Sequence, residues 1–272
     1  MRLAPDPTEL LPVITAIAEH GGPDFRGYAL TSLRRRMVRH LMLERLDSLE
    51  ALRAQIEANS AARARLVAAI TVHVTAMFRD PGFFRAFRAE SDRLRTYPYL
   101  RFWVAGCSTG EEVYSLAILL EEEGLYQRSR IYATDLSPIA LERARAGVYP
   151  LAAMQDYTRN YQRAAGTRAF AEYYTADNEN VLFRPALREN VVFAGHNLAG
   201  DASFNEFHAI FCRNVMIYFN RELQSRVHRL LHDSLTTWGY LGLGRSETVR
   251  FSGFENDYEA VASKERLFRK IA

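Results

Sequence analysis

From residue 100 onward, short apolar runs alternate with helix-like stretches, and that alternation limits the possible folds more than anything else in the chain. Runs at 101–106, 130–135, 191–194 and 209–212 are candidate buried parallel strands. Residues 109–123 read as a helix, as does the stretch that Ser137 caps with Pro138 at its first position. Strand–helix alternation dictates βαβ units in a doubly wound sheet, an α/β fold. Runs at 240–243, 258–261 and 267–271 differ, with little helix between the last two. They predict an antiparallel hairpin closing the sheet edge.

Residues 8–90 read as helices throughout. Thr8 is placed as the cap of the first, which carries Leu10, Val13, Ile14 and Ile17 and ends at Gly21-Gly22-Pro23. The second begins near Tyr28 with Leu30, Leu33, Met37 and Leu41 on one face. Ser48 starts a third, a fourth contains Leu66, Ile70 and Val74, and Asp80-Pro81 opens a fifth through Phe83, Phe84 and Phe87. The reading gives a helical N-terminal domain at 1–90, a sheet domain at 91–272, and an inserted subdomain at 147–190. The insertion is too long for one crossover helix. It is read as partly helical over 157–174, with one clear strand at 181–183.

Composition narrows the function. The 272 residues include 35 Lys+Arg against 32 Asp+Glu, a net charge of +3, so the whole chain is no polybasic coat for nucleic acid. Aromatic content of 12% excludes intrinsic disorder. Two cysteines, Cys107 and Cys212, make no disulfide framework and read as small core residues. No stretch reaches the ~18 apolar residues of a membrane span, and the first ten residues lack a basic-then-apolar signal. The chain is therefore read as cytoplasmic, without membrane insertion. His228 and His232 stand at a spacing that binds zinc, but no third ligand has suitable spacing, so no metal is expected.

Three constellations carry chemistry. Ala105 to Glu112 forms a strand-to-helix turn with Gly106 and Gly110, which is neither GxGxxG nor a Walker loop. Asp135 ends the next strand, where an acid commonly binds ribose hydroxyls. Glu111 at the helix start disfavours a pyrophosphate and suits a cationic ligand; S-adenosylmethionine (SAM) has a sulfonium, an ammonium and a ribose. The second constellation is His73 to Asp80, where Arg79 in an apolar context needs a carboxylate, with Glu111 as its candidate partner. In the third, an apolar strand ends in Arg213-Asn214, followed by Tyr218-Phe219.

Together these residues resemble the chemotaxis receptor methyltransferases of the CheR type. Asp24-Phe25-Arg26-Gly27-Tyr28 with Leu33 to Arg36 resembles the family's helical domain. Thr75 to Arg79 with Phe83-Phe84, the loop Cys107 to Ser115, Ala133 to Ser137, and Cys212 to Phe219 follow in family order. The resemblance implies a seven-stranded SAM-dependent methyltransferase sheet. It implies that His73, Thr75, Arg79, Glu111, Asp135, Asn197, Leu198, Arg213 and Asn214 touch SAM. Asp135 would take the ribose, Asn197-Leu198 would border the adenine, and Tyr218 would stand beside the methyl group. His73 departs from the asparagine usual at its place, which ranks it below the rest.

The implied reaction moves a methyl from SAM to receptor glutamates, leaving S-adenosylhomocysteine, with Arg79, Arg213 and Tyr218 as catalytic residues. A glutamate of pKa ~4.3 is already ionised, so alignment rather than base catalysis is required. On the second helix, Arg35, Arg36 and Arg39 share a sector where acids are scarce. The family's acidic receptor coiled coils would dock there. Because the insertion shows a single clear strand, its edge looks poor for strand addition, and recognition is expected on the arginine face. The resemblance also implies a monomer at membrane receptor arrays, with no nucleic-acid partner. Methylation of a nucleic acid or small molecule, or SAM binding without catalysis, remain the alternative readings.

Overall fold

The computed structural model describes residues 6–71 and 74–272. It opens with α1 (Leu11–Glu19), α2 (Leu30–Glu44), α3 (Leu49–Ala58) and α4 (Ser60–Ile70). Ser48 caps α3 by accepting the Ala51 N–H, and Asn59 caps α4 through the Ala61 and Ala62 N–H groups. The first cap is corrected: Asp6, not Thr8, accepts an N–H, that of Thr8, at the start of a 3-10 turn over Pro7–Leu10. Leu33 and Met37 of α2 meet Val13, Ile14 and Ile17 of α1 and Leu52 and Ile56 of α3 in one core. Thr71 turns to extended backbone and ends α4, so Val74 leaves the helical face predicted for it and is exposed.

Next come α5 (Pro81–Arg88) and the single turn α6 (Ser91–Leu94). Phe83 and Phe87 of α5 each lie 4.9 Å, ring to ring, from Phe211. This helix therefore packs on the sheet rather than with the four before it.

The alternating region begins with β1 (Leu100–Ala105), α7 (Glu111–Glu122), β2 (Ser129–Asp135) and α8 (Pro138–Ala146). Three short strands, β3 (Val148–Pro150), β4 (Tyr174–Ala176) and β5 (Asn180–Phe183), and α9 (Met154–Arg163) interrupt it. It resumes with β6 (Val191–Gly195), β7 (Phe207–Cys212), α10 (Arg221–Asp233), β8 (Leu235–Leu243), β9 (Tyr258–Ala262) and β10 (Leu267–Lys270). The seven-stranded sheet runs β6-β2-β1-β7-β8-β10-β9. Pairings from β6 to β8 are parallel, and β8-β10-β9 are antiparallel, as the C-terminal hairpin pattern predicted. Strand alternation splits the core. Phe102 and Val104 face α5 and α7, while Trp103 and Ala105 join Val227 and Leu231 of α10. Among the described residues, no helix is long and apolar enough to cross a membrane.

The insertion corrects two expectations. Its helix stops at Arg163, because Ala165 takes a left-handed φ of 60° and the Gly166 N–H returns to the Tyr161 carbonyl. Phe170 and Tyr173 then pack with Tyr161 and Phe183 instead of extending that helix. The strands number three, in the order β3-β5-β4. β3 and β4 have three residues each, too few to show a periodicity, so only the middle strand was visible in sequence.

Candidate active site

A cavity of about 920 Å³, counting its open side, lies beyond the carboxyl ends of β1, β2 and β7. There the strand order reverses, with β2 on one side of β1 and β7 on the other. The loop after β1 forms its floor. Gly106 has a φ of 73°, and a Cβ there would stand 2.5 Å from a Val215 methyl. Only glycine lets this loop abut the segment after β7. Gly110 has another role than ligand approach: a Cβ there would meet Ala144 of α8 at 2.8 Å.

Asp135 ends β2 against this loop. One carboxylate oxygen accepts the Ser108 N–H at 2.8 Å, and the other accepts the Ser137 N–H at 2.9 Å. Both oxygens keep lone pairs for a ligand. Burial, then the Asp135 charge, push the Tyr28 hydroxyl well above its ordinary range on the facing wall.

Arg213 is buried and already engaged. Its guanidinium meets Glu112 at 2.8 Å and Asp80 at 2.9 Å, donates to the Arg79 carbonyl at 3.0 Å, and lies 4.2 Å over the Phe83 ring. It joins α5, α7 and β7 through Nη1 and Nη2, while its Nε has no partner among the described residues.

Arg36, which sequence grouped with Arg35 and Arg39 as the receptor-docking face, lines the cavity instead. Ser32 accepts from its Nε at 3.0 Å and from Nη2 at 2.7 Å. Its guanidinium carbon stands 5.1 Å from the centre of the Tyr218 ring, on the cavity wall. Backbone stitching fixes this pairing: the Ala29 N–H donates to the Tyr218 carbonyl at 2.8 Å, and Tyr28 packs edge-on against Phe219. Arg35 and Arg39 remain exposed.

The turn carrying Asn214 to Tyr218 is held by a residue that sequence reasoning missed. Glu247 accepts N–H groups from Asn214 and Val215 at 2.9 Å, Ile217 at 3.3 Å and Gly244 at 2.6 Å. It is buried without a cation partner among the described residues, and burial raises its carboxyl despite those bonds. A lone glutamate in a loop gives no signal in sequence. His196, also missed, lines the cavity and packs edge-on to Trp103.

Of the residues singled out from sequence, the cavity brings together Thr75, Arg79, Asp135, Asn197, Leu198, Arg213, Asn214 and Tyr218. His73 lies outside the described residues. Glu111 is not on the wall; its neighbour Glu112 is. The Glu111 carboxylate is buried, taking the Thr109 hydroxyl at 2.7 Å and the Tyr157 hydroxyl at 3.3 Å, and burial raises its pKa. The predicted Arg79–Glu111 pair does not form, since Arg79 donates instead to the Val74 carbonyl at 3.0 Å. Among the described residues, no group of three or more His, Cys, Asp or Glu gathers as a metal site. His232 instead stacks on Phe254 at 4.3 Å.

Residues 73–267 match the family model of the CheR methyltransferase SAM-binding domain. The chain belongs to the CheR methyltransferase family. It is 44% identical over 263 residues to the putative methyltransferase Cher3 of Pseudomonas putida, with 96% of each chain covered. It is 35% identical over 224 residues to the chemotaxis protein methyltransferase of Salmonella typhimurium, across 78% of this chain and 74% of that one. Chemotaxis protein methyltransferase Cher2 of P. putida is 31% identical over 228 residues, 77% of each chain. This CheR-family chain is thus a SAM-dependent methyltransferase.

The cavity's chemistry suits that cofactor. Buried polar atoms on the wall, Ser108 Oγ and His196 Nδ1, have no protein partner and are free for a polar ligand. Asp135 fits a ribose diol, and Arg79 fits the carboxylate of a methionine moiety.

Proposed function

We propose that this enzyme esterifies glutamate side chains on the acidic cytoplasmic coiled coils of chemotaxis receptors. The observation that carries this reading is Arg36 beside Tyr218 on the cavity wall. A fixed cation and a phenol hydroxyl attract an incoming carboxylate and repel a protonated amine. SAM supplies an electrophilic methyl on its sulfonium.

The remaining work belongs to the chain's own groups. Asp135 holds the ribose, Asn197 and Leu198 border the adenine, and Arg79 with Thr75 takes the amino-acid end. Arg36 and Tyr218 align a glutamate that is ionised near neutral pH, so no general base is required. Esterification removes the carboxylate charge, which weakens the hold of Arg36 and favours release. The exposed Arg35 and Arg39 on α2 extend the same positive field outward to the coiled coil. The chemotaxis names of the Salmonella and P. putida relatives support this substrate class.

Incubating the enzyme with methyl-labelled SAM and receptor-bearing membranes tests the reading. Label should enter the receptor and leave as methanol under mild base. Label in nucleic acid or small molecules, with none in receptors, would reject it.

A further inference from the structure

A second concavity adjoins the catalytic turn, lined by Ile217, Arg221, Gln224, Arg250 and Phe251. Ile217 directly precedes Tyr218 and is 39% exposed. Phe251 is 89% exposed and sits at a φ of 64°. A left-handed backbone is unfavourable for a bulky side chain, so the loop holds this ring in water against both strain and hydration. Arg221 and Arg250 are exposed, and neither guanidinium has a carboxylate partner among the described residues. The acid lining the same concavity, Glu247, is committed to four backbone N–H groups. The surface is therefore cationic around an apolar anchor.

We infer that this groove docks the acidic stretch of the protein substrate flanking its methylated carboxylate, with Phe251 as anchor and Arg221 and Arg250 pairing its acids. The inference rests on the receptor-glutamate reading and adds a second docking element beside the turn that carries Tyr218. Opposite charges choose the occupant, since a groove bearing two free guanidiniums selects an acidic chain. An exposed aromatic amid unpaired arginines has the composition of an interface hot spot.

The test uses the full chain, the variant Phe251→Ser, the double variant R221E/R250E, and a soluble cytoplasmic fragment of a chemotaxis receptor. All three side chains are exposed, so the melting temperature should hold. Both variants should raise the KM for the fragment by about tenfold or more, with SAM affinity unchanged. Added salt should raise the wild-type KM and shrink its gap to the charge-reversal variant. Wild-type KM in both variants would overturn the groove alone. A wild-type enzyme that leaves the fragment unmethylated would instead overturn the receptor reading, and the groove with it. Loss of a dimer in Phe251→Ser at unchanged KM would assign the face to a second copy and also overturn the inference.

Discussion

The carboxylate of Glu247 accepts the backbone N–H of Asn214 at 2.9 Å, from a loop 33 residues downstream. Asn214 there has a φ of 60°, a left-handed conformation that needs such support. Three further N–H groups converge on the same carboxylate. In Glu247→Gln, the amide NH₂ would confront donors that now have an acceptor. The expected cost is about 1–3 kcal/mol of stability in urea unfolding, with weaker SAM binding by calorimetry. Wild-type values in both would show that the turn is held by something else.

Asp135 should govern cofactor affinity. In Asp135→Ala, charge-assisted bonds to the ribose are lost, and binding should weaken by about 1.5–3 kcal/mol. The Ser108 and Ser137 N–H groups lose their acceptor too, so Asp135→Asn separates the effects by keeping one acceptor oxygen. Calorimetry on the two variants is the measurement, and unchanged affinity in Asp135→Ala would remove this residue from the site.

Sequence showed most of the sheet, because short apolar runs and capping residues are local signals. Ser48, Ser137 and Pro138 lie where the caps predicted them. Shortness hid β3 and β4, and aromatic packing around Phe183 overrode the helix expected after Arg163. At the site, local motifs located the residues but not their partners. Arg36 and Arg35 are indistinguishable by charge and spacing; only the stitching of Ala29 to Tyr218 turns one inward. Likewise Glu111 and Glu112 are adjacent and identical, and the α7 helix buries the first and presents the second. Glu247 depends on contacts with Asn214, Val215 and Ile217 that no sequence pattern encodes.

Arg36 should matter for transfer and little for folding. Its side chain is anchored by Ser32 and has no carboxylate partner among the described residues, so Arg36→Met strands no buried charge. Receptor methylation should fall about 10–100-fold in kcat/KM, the worth of one charge-assisted bond, at unchanged SAM affinity. A variant that methylates receptors at the wild-type rate would take Arg36 out of the reaction.

Acid should destabilise the fold through its histidines. Burial holds His40, His208, His228 and His232 below the ordinary value of 6.5. Their stabilising contribution is complete above that unfolded value and is lost as pH falls through the folded ones. Glu111 and Glu247 are shifted upward from 4.5, so their contribution has the opposite sign and grows as pH falls toward that value. The melting temperature should therefore drop from about pH 7.5 to about pH 6, and drop less in His228→Gln. An equal drop in that variant would clear His228 of the effect.

Arg213 should behave in the opposite way to Arg36. Its side chain is 2% exposed and answers two acids, Glu112 and Asp80, on different helices or their caps. Removing it leaves Glu112 charged and without its cation, while Asp80 keeps Arg245 at 3.1 Å, at a cost of about 3 kcal/mol. Arg213→Met should thus lose stability and activity together, with soluble yield and melting temperature falling first. Arg213→Lys keeps the charge but not the fork, so it should recover only part of the stability. The double variant R213M/E112Q should be more stable than R213M alone, since one stranded carboxylate is neutralised. If Arg213→Met instead keeps the wild-type melting temperature while methyl transfer collapses, this arginine acts on the substrate after all, and Glu112 and Asp80 merely hold it in place.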